Sequence, residues 1–179
     1  MNAHFHLVRS RITHHVSLFT HQSGVTVMIK TILVPTDFSE HAQRAFERAS
    51  DLARQLDAKL YLLHVQTGSD LRIAVREGLL AGTSTDEEVH KAVEQLTEQR
   101  FSTLCGADPS QLPIEHTCRR GEPGAVIVAY AKEIGADLVV VGRRGAGLLE
   151  EMREAVIGSV TENVIKKSPC PVMVVRREH

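Results

Sequence analysis

The residues able to do chemistry are few in this chain. Five of its ten histidines, His4, His6, His14, His15 and His21, lie within the first 27 residues, but their spacing matches no metal-ligand template. His116 and Cys118 alternate and so share one strand face, yet a single His-x-Cys pair lacks the further ligands a metal site needs. Cys105, Cys118 and Cys170 include no CxxC and leave one thiol over in any pairing, which reads as free cysteines in a reducing compartment. No nucleophile, base and orienting group assemble into a triad, and Gly-x4-Gly-Lys-Ser/Thr is absent. What is left suits holding a ligand rather than transforming one. Asp37 follows Pro35-Thr36, and Gly158-Ser159 precedes a helical run. The adjacent Arg143 and Arg144 carry guanidinium groups that match phosphate oxygens bidentately. Each has an ordinary structural alternative: a loop aspartate capping the next helix, a turn with its N-cap, and solvated arginines. His64, between apolar neighbours, is expected to be a hydrogen-bonded core histidine.

The elements that must position these residues alternate regularly from Ile29 onward. Ile29–Val34 is a short β-branched run broken by Pro35, a buried strand by its composition. Ser39 then serves as a plain N-cap, with Ala42 rather than an acid three positions on, so no capping box forms. Ala42, Ala45, Phe46, Ala49, Leu52, Ala53 and Leu56 recur at helical spacing. Leu60–Val65 reads as a second buried strand, residues 66–85 as a loop with a short helix around Leu71–Leu79, and Asp86 to about Leu104 as a helix carrying Val89, Val93, Leu96 and Phe101. Pro113–Cys118 is a short strand. Gly121-Glu122-Pro123 leads into a helix that Gly135 stops. Leu138–Val141 is the most apolar strand and ends at Gly142; a helix over Ser159–Lys167 and a strand over Val172–Val175 close the pattern.

Strands alternating with helices predict a parallel sheet covered on both faces. Such sheets bind ligands beyond the carboxyl ends of their strands, where the winding reverses. Those ends are Pro35-Thr36-Asp37, Val65-Gln66 and Gly142 onward, so the ligand-holding residues converge there.

Composition bounds the partners. The chain has 179 residues, 42% hydrophobic and 24% charged, which suits one ordinary aliphatic core; it has no Trp and only two Tyr. A net charge of -1 leaves no basic footprint for nucleic acid, and no apolar run is long enough to span a membrane. Residues 1–27 contain no acid and no helical or alternating period, and Met28 directly precedes the first strand. They are read as a disordered or non-native extension, with the domain at residues 28–179. A cytoplasmic location is expected.

Ile32–Ser39, Leu63-His64-Val65, Ala136–Gly142, Gly158–Ile165 and Cys170-Pro171-Val172 together resemble the universal stress protein family, over residues 28–177. That resemblance implies a three-layer, Rossmann-like α/β fold with a five-stranded parallel sheet of order 3-2-1-4-5, related to the adenine nucleotide alpha hydrolases. It also implies a homodimer through the last strand, Val172–Val175. The ATP-binding members carry Gly-x2-Gly-x9-Gly-Ser/Thr. Here Gly142-Arg143-Arg144-Gly145 and Gly158-Ser159 match its two ends, but twelve residues separate Gly145 from Gly158, and these include Glu150, Glu151 and Glu154. The motif works because glycines let backbone N–H groups approach phosphate oxygens and the following helix offers its positive N-terminus. The resemblance therefore implies a nucleotide site of Pro35, Thr36, Asp37, Val65, Gly142, Arg143, Arg144, Gly145, Gly158, Ser159 and Val160. Its ligand is ATP with Mg²⁺, Asp37 and the Val65 backbone lie at the adenosine end, and hydrolysis is slow at most.

The expected function is a nucleotide-responsive stress regulator acting through its dimer or an unknown protein partner. The alternative is a nucleotide-free interaction module of the same fold, favoured by the longer glycine spacing. An adenylyl transferase or pyrophosphatase-loop ligase would need His-x-Gly-His or Ser-Gly-Gly-x-Asp-Ser near the first strand. A receiver domain would need an acidic pair there. None of these occurs.

Overall fold

The alternation of 2-residue and 3.6-residue periods resolves, in a computed structural model, into a parallel sheet with helices on both faces. The structure describes residues 28–80, 85–106, 112–143 and 157–176. In chain order the elements are β1 (Thr31–Thr36), α1 (Glu40–Leu56), β2 (Lys59–Gln66), α2 (Gly68–Arg76), α3 (Asp86–Cys105), β3 (Ile114–Arg120), α4 (Pro123–Glu133), β4 (Leu138–Gly142), α5 (Ser159–Lys167) and β5 (Val172–Val175). The strands pair in the order β3-β2-β1-β4-β5, all parallel.

Strand periodicity assigns the core. Ile32, Val34, Leu60, Leu62, Leu138 and Val140 point to one face, where the small residues Ala45, Ala49 and Ala53 of α1 lie against them with Phe101 of α3. Leu33, Leu63, Val65, Val139 and Val141 point to the other and meet Ile127 and Tyr130 of α4 and Val164 of α5. Helices cover both faces, which explains why β4 is buried at every residue. At the opposite end of the sheet, Asp137 Oδ2 accepts from the backbone N–H groups of Lys30 and Thr31, each at 2.9 Å. This ties the start of β1 to that of β4.

The first strand runs two residues further than its apolar pattern suggests, with Pro35 inside it opposite Leu63 of β2. Pro35 lies past the last residue at which β1 pairs β4, Leu33 opposite Val139, so its missing N–H interrupts no ladder on that side. Beyond Leu33 the two strands part. That opening is the crevice in which the site lies. Ser39 caps α1 as expected, its hydroxyl accepting from Ala42 N at 3.3 Å. The short helix of the loop after β2 starts earlier than its apolar residues indicate, at Gly68. A capping box between Thr67 and Asp70 sets its start.

Candidate functional site

A cavity of about 420 Å³ opens at the carboxyl ends of β1, β2 and β4, within the size range of small-ligand sites. It receives Pro35, Thr36 and Asp37 from the end of β1, Val65 from β2, Gly142 from β4, and Gly158, Ser159 and Val160 from the start of α5. Eight of the eleven residues expected from the sequence thus come together. Arg143 is described but is not among the lining residues; it serves through its backbone, where Arg143 N donates to Val175 O and Arg143 O accepts from Gly158 N. Arg144 and Gly145 lie outside the described residues, as do Glu150, Glu151 and Glu154.

The glycine side is built by close approach. An added Cβ at Gly142 would stand 2.7 Å from the carbonyl oxygen of His41, so only glycine lets β4 end against the first turn of α1. Thr161 Oγ1 donates to Gly142 O at 2.9 Å and is buried, which fixes the start of α5 over the end of β4. Gly158 is the N-cap of α5 and supplies no side-chain acceptor. The other four helices are all capped by side chains: Ser39, Thr67, Thr85 and Glu122. Even α4, whose Pro123 also lines the cavity, is closed by Glu122 bonding Gly124 N and Ala125 N. Among the described residues no side chain therefore caps the first N–H groups of α5, and Ser159, Val160 and Thr161 line the cavity. An uncapped helix N-terminus on a cavity attracts anions.

Asp37 is partly buried and bonds its own loop, its Oδ1 accepting from Ser39 N at 3.1 Å. Its carboxylate shapes the loop before α1, and the residue also lines the cavity. Val65 is 7% exposed, so its side chain belongs to the core while the residue lines the cavity.

The opposite wall holds residues that sequence reasoning missed as site residues: His64, Thr67, Ser69, Asp70, Ile73 and Arg100. His64 is a buried histidine as expected, yet it also reaches the cavity. Its Nδ1 lies 2.8 Å from Thr36 O, a pure acceptor, so that nitrogen carries a proton and donates. Its Nε2 lies 3.2 Å from Asp70 Oδ1 but is not aligned as a hydrogen bond. Asp70 Oδ2 accepts from Thr67 N at 2.8 Å and Thr67 Oγ1 at 3.2 Å. Burial pushes the Asp70 carboxyl up, but the His64 ring and the Thr67 N–H together outweigh that and hold it below the usual aspartate value. Arg100 Nη1 stands 3.6 Å from Asp70 Oδ1, and its guanidinium lies 5.4 Å over the Phe38 ring. A sequence signal for Arg100 existed. It follows Val93, Leu96 and Thr97 on the inward stripe of α3, where an arginine is out of place.

This architecture, an open parallel sheet of order 3-2-1-4-5 with a ligand-sized crevice at its switch point, defines a Rossmann-like α/β domain. Residues 28–176 match the universal stress protein family, and the chain belongs to it. It is 31% identical over 164 residues to the universal stress protein MJ0577 of Methanocaldococcus jannaschii, an alignment covering 87% of this chain and 99% of that protein. The solved structure of MJ0577 superposes with a TM-score of 0.63, covering 86% of this chain and 99% of the other. Identity to the universal stress protein Sll1654 of Synechocystis is 35% over 158 residues, 86% of this chain and 89% of the relative. A universal stress protein solved in complex with cAMP is 26% identical, with a TM-score of 0.52 and coverage of 84% and 98%.

Proposed function

We propose that the cavity binds an adenine nucleotide, ATP in particular, and that the protein is a nucleotide-responsive stress regulator rather than an enzyme with a dedicated catalytic apparatus. The observation that carries this reading is the uncapped N-terminus of α5 facing a 420 Å³ cavity at the switch point of the sheet. Phosphate oxygens take up the N–H groups of Ser159, Val160 and Thr161 and the hydroxyl of Ser159, and the nucleoside lies across the end of β1 toward Val65. The relative bound to cAMP supports the same ligand class. Among the described residues no group of three His, Cys, Asp or Glu side chains could hold a metal. Mg²⁺ then arrives as the counter-ion of the triphosphate, and hydrolysis, if it occurs, is slow.

The signal leaves through association. β5 is an edge strand whose four residues are all half-buried, and pairing with its equivalent in a second copy would cover that edge. A nucleotide-free interaction module is the second reading, and the twelve residues between Gly145 and Gly158, with their three glutamates, favour it. An ATP-induced thermal shift of the wild type separates the two, its absence favouring the nucleotide-free reading, and Gly158→Asp then tests the site. Its backbone (φ -66, ψ 148) is one that any residue adopts and aspartate is a good N-cap, so the variant's carboxylate is expected to occupy the phosphate position. Loss of the ATP-induced thermal shift in this variant supports the site. A shift equal to that of the wild type places the nucleotide elsewhere.

A further inference from the structure

The cavity has a second charged feature, remote from the glycine side. The strand order puts the end of β2 two strand spacings, about 10 Å, from the end of β4. Arg100 reaches the cavity on the β2 side, between Asp70, which follows β2, and Phe38, which follows β1. Its side chain is only 26% exposed. A guanidinium offers five N–H donors, and burial without acceptors is costly. Among the described residues Arg100 donates no hydrogen bond: the Asp70 contact at 3.6 Å is an ion-pair distance, too long for one. Thr67 already occupies Asp70 Oδ2, and Oδ1, beside the His64 ring, lies beyond hydrogen-bond distance of Arg100. One face of the guanidinium is covered by the Phe38 ring. A half-neutralised, pre-oriented set of donors therefore faces the cavity, and none of the described residues accepts a hydrogen bond from it.

The geometry points to Arg100 as a ligand-binding residue that reads the base end of the nucleotide. This assignment rests on the reading that the site holds a nucleotide with its phosphates at α5. A single phosphate held there is too far away to reach Arg100. The acceptors within its reach are those on the heterocycle, and a planar guanidinium edge suits the ring nitrogens and carbonyl oxygens of a base. Arg100 is then a specificity determinant, supplied by a helix that contributes nothing to the glycine side.

The test uses the full chain and calorimetric titration with ATP, GTP and inorganic tripolyphosphate. Arg100→Ala and Arg100→Gln are compared with wild type; the glutamine variant keeps part of the stem over Phe38 and one amide donor pair. Both variants are expected to bind nucleotides about tenfold or more weakly, to alter the ATP-to-GTP ratio, and to bind tripolyphosphate as the wild type does. Unchanged nucleotide affinity overturns the assignment and leaves Arg100 a partner of Asp70 and Phe38. An equal loss for tripolyphosphate also overturns it, because Arg100 would then act on phosphate or on the site as a whole. Wild type that binds tripolyphosphate but neither nucleotide removes the base-end reading alone. Wild type that binds none of the three removes the nucleotide site and this assignment together.

Discussion

Gly142 and Gly158 flank one cavity for different physical reasons. At Gly142 the constraint is packing: the His41 carbonyl oxygen occupies the space a Cβ would need. Gly142→Ala is expected to destabilise the protein by about 1–3 kcal/mol, as overpacking does, whether or not nucleotide is present. Urea denaturation with and without ATP checks this; a stable variant that has lost only binding would contradict it. At Gly158 the constraint is chemical, because the position caps α5 without offering an acceptor. Gly158→Asp should therefore keep or slightly raise the melting temperature, by a few tenths of a kcal/mol in stability, and lose ATP binding. Asp70 gives a third residue-scale outcome. Its carboxyl is held below the ordinary 3.8, so its stabilising contribution is present above that pH and is lost as pH falls through the lower folded value. Asp70→Asn, which leaves a buried network short of a charge, should cost about 2 kcal/mol at pH 7, with the gap to wild type closing below about pH 4. Melting curves at pH 7 and pH 3 read this directly, and a pH-independent gap would show that the charge is not what matters.

At the scale of elements, a buried side-chain tie holds the start of α5. Thr161 Oγ1 donates to Gly142 O across the cavity floor, and Thr161→Val removes that bond from a buried position. A loss of about 1 kcal/mol is expected, with a weaker ATP affinity because the start of α5 is no longer held over β4. Unchanged stability and affinity would show the tie to be incidental. This scale also shows what the sequence made legible. α5 and β5 were readable to the residue, since apolar spacing and turn residues bound them on both sides. β1 was misjudged at its end because proline signals a break, whereas here it lies where β1 and β4 have already parted. The glycine side was legible because its parts are consecutive or bounded by glycine. The wall of His64, Asp70 and Arg100 was not, because it forms only when α2 and α3 fold back over the end of β2, an approach that no local spacing encodes. Two clues were nevertheless present: the Thr67-x-x-Asp70 capping box and an arginine on the inward stripe of α3.

Across the whole molecule, the sheet leaves two edges with different treatment. β3 carries Glu115, His116, Arg119 and Arg120, with Lys59–Glu115 and Arg119–Glu133 ion pairs beside it, which discourages further strand pairing. β5 carries only Val172, Met173, Val174 and Val175, none of them charged. Association is thus expected at β5, and sedimentation equilibrium of the full chain should give a dimer; a monomer at micromolar concentration would remove that route for the signal. The central claim is that α5 still receives phosphates despite the longer glycine segment. Calorimetric titration of the full chain with ATP and Mg²⁺, beside AMP, tests it most directly. Binding of ATP tighter than AMP is the predicted result, because the additional phosphates extend along the N-terminus of α5. Equal affinity for the two, or no heat with either, would contradict it.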